Sequence, residues 1–207
     1  PNPDWLAMSR ASVTRMRFGE RTLLLYTAME WVVGIDAETG ELLWKTNDWK
    51  GRVANTGTPV VVGKNRVLTA SAYNAGAALF ELAEQGGGGV GVRTVRKLRP
   101  NRFGSEQQVP VFYDGYVFGT GVVPRTYLNC LDADGNVVWT SGRDNRFGRG
   151  PFMVADGKLL ILADDGTLAL AKAYGDGWTP LAQAKVLQNH DLRNLEAWAP
   201  MALAGSR

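Results

Sequence analysis

The sequence predicts an all-β fold, a β-propeller built from four-stranded antiparallel blades. Three observations carry this prediction. Short hairpins with a glycine in a tight turn recur along the chain, and some are followed by a second hairpin that combines an Asp, a glycine and a Trp. The 207 residues also include 25 glycines and few patterns typical of helices. Four strands in roughly 45 residues is the length of one propeller blade.

The first hairpin of each unit has a small turn, as in MRFGERTLLLY and MVADGKLLILA. A glycine in such a turn can adopt a positive φ without steric cost. We expect strand A before this turn and strand B after it. Five turn glycines mark the repeat, at successive intervals of 44, 52, 42 and 48 residues: Gly19, Gly63, Gly115, Gly157 and Gly205.

The second hairpin is clearest in WVVGIDAETGELLWKT, residues 31–46, and in LNCLDADGNVVWTS, residues 128–141. An Asp can accept hydrogen bonds from backbone N–H groups of the turn, and a Trp on the returning strand offers a large surface for packing between blades. These hairpins are expected to supply strands C and D. The signature residues are Asp36, Gly40 and Trp44 in the first copy and Asp132, Gly135 and Trp139 in the second.

We predict that residues 1–207 form a single propeller segment. Blades are expected at about 11–48, 56–98, 107–142 and 150–188, and the start of a further blade, its strand A, at 197–207. Four blades can close a propeller, but these have gaps and an orphan strand, so the segment is predicted to be part of a ring of about seven or eight blades. A homodimer that completes the ring is the alternative. In the second blade the glycine tract 86–89 replaces the Asp–Gly turn, and without a following Lys-Ser/Thr it indicates a hairpin tip rather than a phosphate loop.

Composition and charge exclude several classes of protein. The 23 basic and 20 acidic residues give a net charge of +3, spread along the chain, which argues against a nucleic-acid partner. No apolar run approaches the roughly 18 residues of a membrane span. The sequence shows no signal peptide, and because it begins at Pro1 without an initiator Met, we expect an upstream segment. The single Cys130 excludes an internal disulfide and a cysteine-rich metal site.

Candidate catalytic groups are few. His190 is the only histidine and lies in a polar connector. The sequence contains no G-x-S-x-G elbow, no H-E-x-x-H and no P-loop. The paired carboxylates Asp164–Asp165 and Asp132/Asp134 fall at turns, where Asp is favoured for its backbone hydrogen bonds. The sequence therefore predicts no catalytic, cofactor-binding or metal-binding residue.

The unit GIDAETGELLW, residues 34–44, closely resembles the PQQ-like (quinoprotein-type) propeller repeat. That repeat has a small residue, an Asp, a turn ending in Gly, and a Trp four residues later. The chain is similar to bacterial proteins with BamB-like or PQQ-binding-like repeats over nearly its whole length. The resemblance implies a propeller of WD40/YVTN-like architecture, and it is specific for fold more than for function.

The resemblance implies one of two activities. PQQ-dependent dehydrogenases bind PQQ and calcium, next to a vicinal cysteine pair and a Glu/Asn/Asp metal site. BamB-type propellers are non-enzymatic and serve outer-membrane protein assembly through contacts with other proteins. Because this sequence has one cysteine, we expect a non-enzymatic protein-interaction scaffold without a cofactor, in the periplasm or another extracytoplasmic compartment. Its expected partners are envelope proteins or the rest of its own propeller.

Two alternatives to the scaffold stay open. One is a fragment of a PQQ-dependent dehydrogenase, and a visible spectrum after addition of PQQ and calcium would separate the two functions. The other is a carbohydrate- or peptide-sensing propeller, which no feature of the sequence selects.

The tetrapeptide NRFG occurs twice, at residues 101–104 and 145–148, each time between strand D of one blade and strand A of the next. Such connectors lie on one face, beside the channel mouth. Their basic side chains are expected to form an arc that binds an anionic ligand or an acidic partner segment. The alternative is that Phe103 and Phe147 anchor the loops, Gly104 and Gly148 allow the turns, and the Arg side chains are solvated. The residues of the arc are Lys50, Arg52, Arg102, Arg146, Arg149 and Arg193.

Overall fold

The chain forms four blades, each a four-stranded antiparallel sheet in which the strands follow chain order. The structure is a computed structural model, and it describes residues 7–53, 55–121, 126–187 and 197–205. Blade 1 contains β1 (Thr14–Phe18), β2 (Arg21–Thr27), β3 (Val32–Asp36) and β4 (Leu42–Thr46). Blade 2 contains β5 (Val60–Val62), β6 (Arg66–Ser71), β7 (Gly76–Glu84) and β8 (Val90–Leu98). Blade 3 contains β9 (Val111–Tyr113), β10 (Tyr116–Thr120), β11 (Leu128–Asp132) and β12 (Val137–Thr140). Blade 4 contains β13 (Phe152–Ala155), β14 (Lys158–Leu162), β15 (Thr167–Lys172) and β16 (Pro180–Lys185).

The predicted fold class is confirmed. The described residues form strands and one short 3₁₀ turn at Gly86–Gly88, the tip of the β7–β8 hairpin, and they contain no α-helix. The sheets lie inside the four segments predicted as blades, while the size of a complete ring stays a prediction.

The strand expected at 197–207 is not formed in the part that the structure describes. Residues 197–205 contain no strand. A strand is stable only when its backbone groups pair with a neighbour, and no described segment forms a ladder with these residues. Whether they begin a further blade stays a prediction.

The A–B turns have the conformation that their glycines permit. Asp114–Gly115 and Asp156–Gly157 each join two strands through two residues with positive φ, between 48° and 84°. This is the geometry of the type I′ hairpin, whose twist matches that of the strands. Gly19 and Gly63 also have positive φ at the corresponding turns of blades 1 and 2.

Strands C and D share one irregularity in all four blades. The register of each C–D pair shifts once, which indicates a β-bulge that increases the local twist. In each blade, one residue of strand D pairs with the last residue of strand C before the shift. In blades 1 to 4 this residue is, in order, Trp44, Arg96, Trp139 and Ala182. The Trp of the sequence signature therefore lies beside the bulge in blades 1 and 3, and another residue takes its place in blades 2 and 4.

Asp36 and Asp132 organise the C–D turns of blades 1 and 3. An Asp36 carboxyl oxygen accepts hydrogen bonds from the N–H groups of Glu38 and Thr39, at 2.9 and 3.0 Å. Asp132 accepts from the N–H groups two and four residues later, at 2.9 and 2.8 Å. The backbone hydrogen bonds lower the pKa of Asp36. Burial raises the pKa of Asp132, but hydrogen bonds, chiefly from Asn136, outweigh it and leave this pKa below its usual value.

We expect Asp132→Asn to lower the free energy of unfolding by about 1 kcal/mol at neutral pH, because the neutral amide accepts the turn hydrogen bonds less strongly. A lowered pKa in the folded state stabilises the protein above the pKa of the unfolded chain, 3.8, and that stabilisation is lost as the pH falls through the folded value. Urea unfolding measured from neutral pH into this acidic range should show a smaller acid-dependent loss for the variant. An equal loss in both proteins would contradict this role of Asp132.

Buried side chains are shared between consecutive blades. Met16 and Leu25 of blade 1 pack in one cluster with Phe80 of blade 2. A second cluster joins blades 2 and 3, and a third joins blades 3 and 4. The blades therefore pack face to face in chain order, as in a propeller.

Strand direction divides the loops between two faces. Because the strands of each blade are antiparallel and follow chain order, the A–B and C–D turns lie at one end of the strands. The B–C loops and the D–A connectors lie at the other end. We call these the turn face and the connector face.

Candidate functional site: the connector face

The D–A connectors and the turn face carry opposite charge. The three D–A connectors span residues 47–59, 99–110 and 141–151, and they contain seven basic and three acidic residues. The A–B and C–D turns contain seven acidic residues and one basic residue, Lys64. The B–C loops add Glu30, Asp164 and Asp165 to the connector face, but Asp165 forms an ion pair with Lys185 at 3.2 Å. The connectors therefore present mostly positive charge and the turns mostly negative charge.

Four of the residues predicted for the basic arc are exposed on the connectors: Lys50, Arg52, Arg102 and Arg146. The Arg146 guanidinium lies 5.8 Å from the centre of the Tyr127 ring, which belongs to the B–C loop of the same face. These four side chains form no ion pair with another residue in the described ranges. Arg193, the last member of the arc, and His190 lie outside the described residues.

Arg149 has a different environment from the rest of the arc. Its guanidinium forms an ion pair with Glu106, whose side chain is only 13% exposed. The same guanidinium lies 5.6 Å from the centre of the Trp198 ring, and the Arg149 N–H donates to the Asp164 carboxylate at 3.0 Å. The charge of Arg149 is thus largely neutralised within the molecule by Glu106. Arg149 lies just before β13, next to the connector that contains Glu106.

The segments just before each strand A contact one another in series. The Arg10 N–H donates to the Asn55 carbonyl at 2.9 Å, ahead of blades 1 and 2. The Thr56 hydroxyl donates to the Glu106 carbonyl at 2.9 Å, ahead of blades 2 and 3. The side-chain amide of Gln108 donates to the Trp198 carbonyl at 3.1 Å. Residues 197–200 therefore join this series of contacts, although they form no strand.

The two NRFG copies lie in the predicted connectors, but their local structures differ. Phe103 is fully buried, and a Cβ at Gly119 would meet its ring at 2.5 Å. Phe147 is also buried and packs on Trp178, with ring centres 5.6 Å apart. Both rings anchor their loops. Gly148 has a positive φ of 69°, whereas the φ of Gly104 is not positive.

The spacing explains why the copies are not equivalent. Phe103 lies 12 residues before the turn glycine of its next blade, and Phe147 lies 10 residues before its own. The Phe103 N–H bonds within its connector, to the Arg99 carbonyl, whereas the Phe147 N–H bonds to the Thr126 carbonyl of a B–C loop. The offset of 44 residues between the copies therefore does not match the 42 residues between these two blades.

The other candidate groups are structural. Cys130 is fully buried, and burial, with the nearby Asp132 charge, raises the pKa of its thiol to about 12. Such a thiol is inert as a nucleophile. Trp44 and Trp139 are 5% and 8% exposed and belong to the inter-blade clusters. Within the described residues, no group of three His, Cys, Asp or Glu side chains is placed to hold a metal ion.

Sequence reasoning missed Glu106 and the acidic turn face. Glu106 and Arg149 are 43 residues apart, so no local pattern joins them. The acidic turns could have been found by comparing the charges of turns and connectors once the strand order was predicted.

These blades, with their shared clusters and one face of converging connectors, define a β-propeller segment. No family model matches the chain, and no curated protein matches it. Among solved structures, the chain is similar to BamB from Moraxella catarrhalis, with a TM-score of 0.54 and 15% sequence identity over 87% of this chain. The match spans 50% of the BamB chain. At this identity the likeness shows the propeller fold alone.

Proposed function

We propose that this chain is a non-enzymatic scaffold that binds other proteins through its connector face. The observation that carries the proposal is the opposite charge of the D–A connectors, which are mostly basic, and of the turn face, which is mostly acidic. A surface of one sign steers a partner of the opposite sign and orients it before contact. The connector face is suited to an acidic segment of a partner protein.

The exposed basic side chains supply the contacts. Arg52, Arg102 and Arg146 stand on three successive connectors, so a partner that crosses the face can meet one guanidinium per blade. A guanidinium can bind a carboxylate through two parallel hydrogen bonds. The sheets behind the connectors hold these positions, because each connector is anchored by a buried aromatic ring: Trp49, Phe103 or Phe147.

The cellular setting of the proposal comes from the resemblance to BamB-like repeats. It suggests envelope proteins as partners, a role in outer-membrane protein assembly, and a periplasmic or otherwise extracytoplasmic location. In the described part of the chain, no helix has the length and apolar character needed to cross a bilayer. The burial of Trp44 and Trp139 gives no support to the dehydrogenase alternative, since neither indole offers a free face to a cofactor.

We expect Arg52→Ser, Arg102→Ser and Arg146→Ser together to weaken partner binding by about tenfold, since three exposed charge contacts contribute about 0.5 kcal/mol each. The partner is first captured in the cell envelope by a photo-crosslinking residue at position 107, which is exposed in the connector that contains Arg102. Its affinity is then measured with purified proteins at two salt concentrations. Binding should also weaken at the higher salt concentration.

A matched triple variant controls for the loss of net charge. Arg15, Lys64 and Lys97 are exposed on strands or turns outside the connectors, and replacing all three by Ser removes the same charge. This control should bind like the wild type. Unchanged affinity in the connector variant, or an equal loss in the control, would contradict the proposed role of the connector face.

A further inference from the structure

The tight turn between β6 and β7, on the connector face of blade 2, contains a tyrosine in an unfavourable backbone conformation. Tyr73 and Asn74 both have positive φ, 54° and 61°, and the Ala75 N–H donates to the Ala72 carbonyl at 3.1 Å. Apart from glycines, the other described residues with positive φ are Asn or Asp, which adopt this conformation readily. Tyr73 is the exception, because a bulky side chain adopts a positive φ at a cost in free energy.

Packing inside the protein does not explain why a tyrosine lies in this turn. Tyr73 is 55% exposed and belongs to none of the three hydrophobic clusters. A glycine or an asparagine would form the same turn with less strain. Residues that keep such strain without a packing contact are typical of binding sites.

The connector between blades 1 and 2 is fixed next to this turn. The Trp49 Nε1–H donates to the Ala75 carbonyl at 3.0 Å, which ties the start of the connector to the turn that contains Tyr73. Further along, the side-chain NH₂ of Asn55 donates to the Ala28 carbonyl of the B–C loop of blade 1, at 2.6 Å. Trp49 and Asn55 are both buried, so the loop between them is held at its two ends.

Exposed apolar and basic side chains lie together at this place. Between the two buried residues of the connector, Val53 is 66% exposed, and Lys50 and Arg52 are exposed as well. We call Lys50, Arg52, Val53 and Tyr73 the Tyr73 patch. Tyrosine and arginine on a rigid support are among the residues that dominate the binding energy of protein interfaces.

We propose that the Tyr73 patch selects the partner of the connector face, and that it binds a segment in which acidic and apolar side chains alternate. The cations of Lys50 and Arg52 bind the carboxylates. Tyr73 and Val53 cover an apolar side chain that lies between them. This inference rests on the proposed function, because it specifies the partner of the same face.

A single-stranded nucleic acid also combines negative charge with rings that stack on tyrosine. The surroundings of the patch favour the protein segment, because Glu30 and Asp48 are exposed on the neighbouring B–C loop and on the same connector. A nucleic acid carries a phosphate at every nucleotide and would meet these carboxylates, whereas a peptide can place its charges opposite the cations alone. Val53 also offers an aliphatic surface and no ring for stacking.

The probes are two synthetic peptides of equal length and equal negative charge, titrated against the full chain by fluorescence anisotropy. In one peptide Asp and Glu alternate with Leu and Phe, and in the other Ser replaces the Leu and Phe. We expect the apolar peptide to bind about ten- to thirtyfold more tightly than the Ser peptide. An oligo(dT) strand of the same charge should bind more weakly than the apolar peptide at the same salt concentration.

Tyr73→Asn removes the ring and keeps a residue that tolerates a positive φ. The variant should weaken binding of the apolar peptide by about tenfold and leave the affinity for the Ser peptide unchanged. Its denaturant midpoint should be no lower than that of the wild type, whereas a merely structural role of Tyr73 would lower it. The matched Tyr174→Asn removes a ring that is 43% exposed on the turn face and should change neither affinity.

Failure of this inference can be told apart from failure of the proposed function. If both peptides bind equally well and the triple variant of Arg52, Arg102 and Arg146 weakens both, the connector face binds acidic segments without selection by the Tyr73 patch. If neither peptide binds, both proposals are wrong. The inference alone is overturned if Tyr174→Asn weakens binding as much as Tyr73→Asn, or if oligo(dT) binds more tightly than the apolar peptide.

Discussion

Trp139→Ala is expected to lower the free energy of unfolding by about 3–5 kcal/mol, the largest effect of any single substitution considered for this chain. Trp139 is 8% exposed and packs between blades 3 and 4, with ring centres 5.9 Å from those of both Phe118 and Trp178. Its Nε1–H also donates to the Tyr174 carbonyl of blade 4 at 2.8 Å. The substitution leaves a cavity and an unsatisfied carbonyl. Urea unfolding followed by circular dichroism measures the loss.

Two variants sharpen this prediction. Trp139→Phe keeps a ring but loses the hydrogen bond, so we expect a loss of about 1–2 kcal/mol. Trp198→Ala removes an indole that is 37% exposed and should change stability by less than about 1 kcal/mol. If Trp139→Ala were no more damaging than Trp198→Ala, Trp139 would not hold the two blades together.

Gly150→Ala is expected to cost about 2–3 kcal/mol of unfolding free energy. Gly150 lies just before β13, and a Cβ at this position would overlap the carbonyl oxygen of Leu162, at the end of β14. Because the obstacle is backbone, no side-chain rotation can relieve it, and the connector must move away from the sheet. Gly57, before β5, stands in the same relation to the carbonyl of Ala70, so Gly57→Ala should cost a similar amount.

Gly86→Ala is the matched control for these glycines. Gly86 has no positive φ, and a Cβ there would meet nothing within 4 Å. We expect this variant to stay within about 0.5 kcal/mol of the wild type. The denaturant midpoints of the three variants measure these differences in stability. A Gly150→Ala protein as stable as Gly86→Ala would show that the connector can shift freely.

The fold could be predicted because its signals are local. A turn glycine such as Gly115 and a turn aspartate such as Asp132 act within four residues of themselves, so the sequence alone reveals the hairpins. The repeat was also recognisable where Trp occupies strand D. The repeat is faint in blades 2 and 4, where Arg96 and Ala182 replace the Trp of strand D. Packing at this position depends on neighbours far along the chain.

The site was less predictable because it depends on distant pairs. The basic connectors were visible in the sequence, but the partner of Arg149 is a glutamate 43 residues away, which removes this arginine from the free charges. Dependence on a distant partner also explains why residues 197–205 form no strand. Their sequence has a strand-like pattern, but no described strand pairs with them. Trp178 belongs to a loop without any repeat signature, and only its ring contacts with Trp139 and Phe147 show that it packs between blades 3 and 4.

The shared inter-blade clusters have a consequence for the autonomy of the repeat. Each described cluster takes its side chains from two neighbouring sheets, so no blade has a hydrophobic core of its own. Blade 2 or blade 3, cut out of the chain as a single sheet of about 40 residues, would expose half of two cores and bury neither. The sequence repeats blade by blade, whereas each described hydrophobic core requires two adjacent blades.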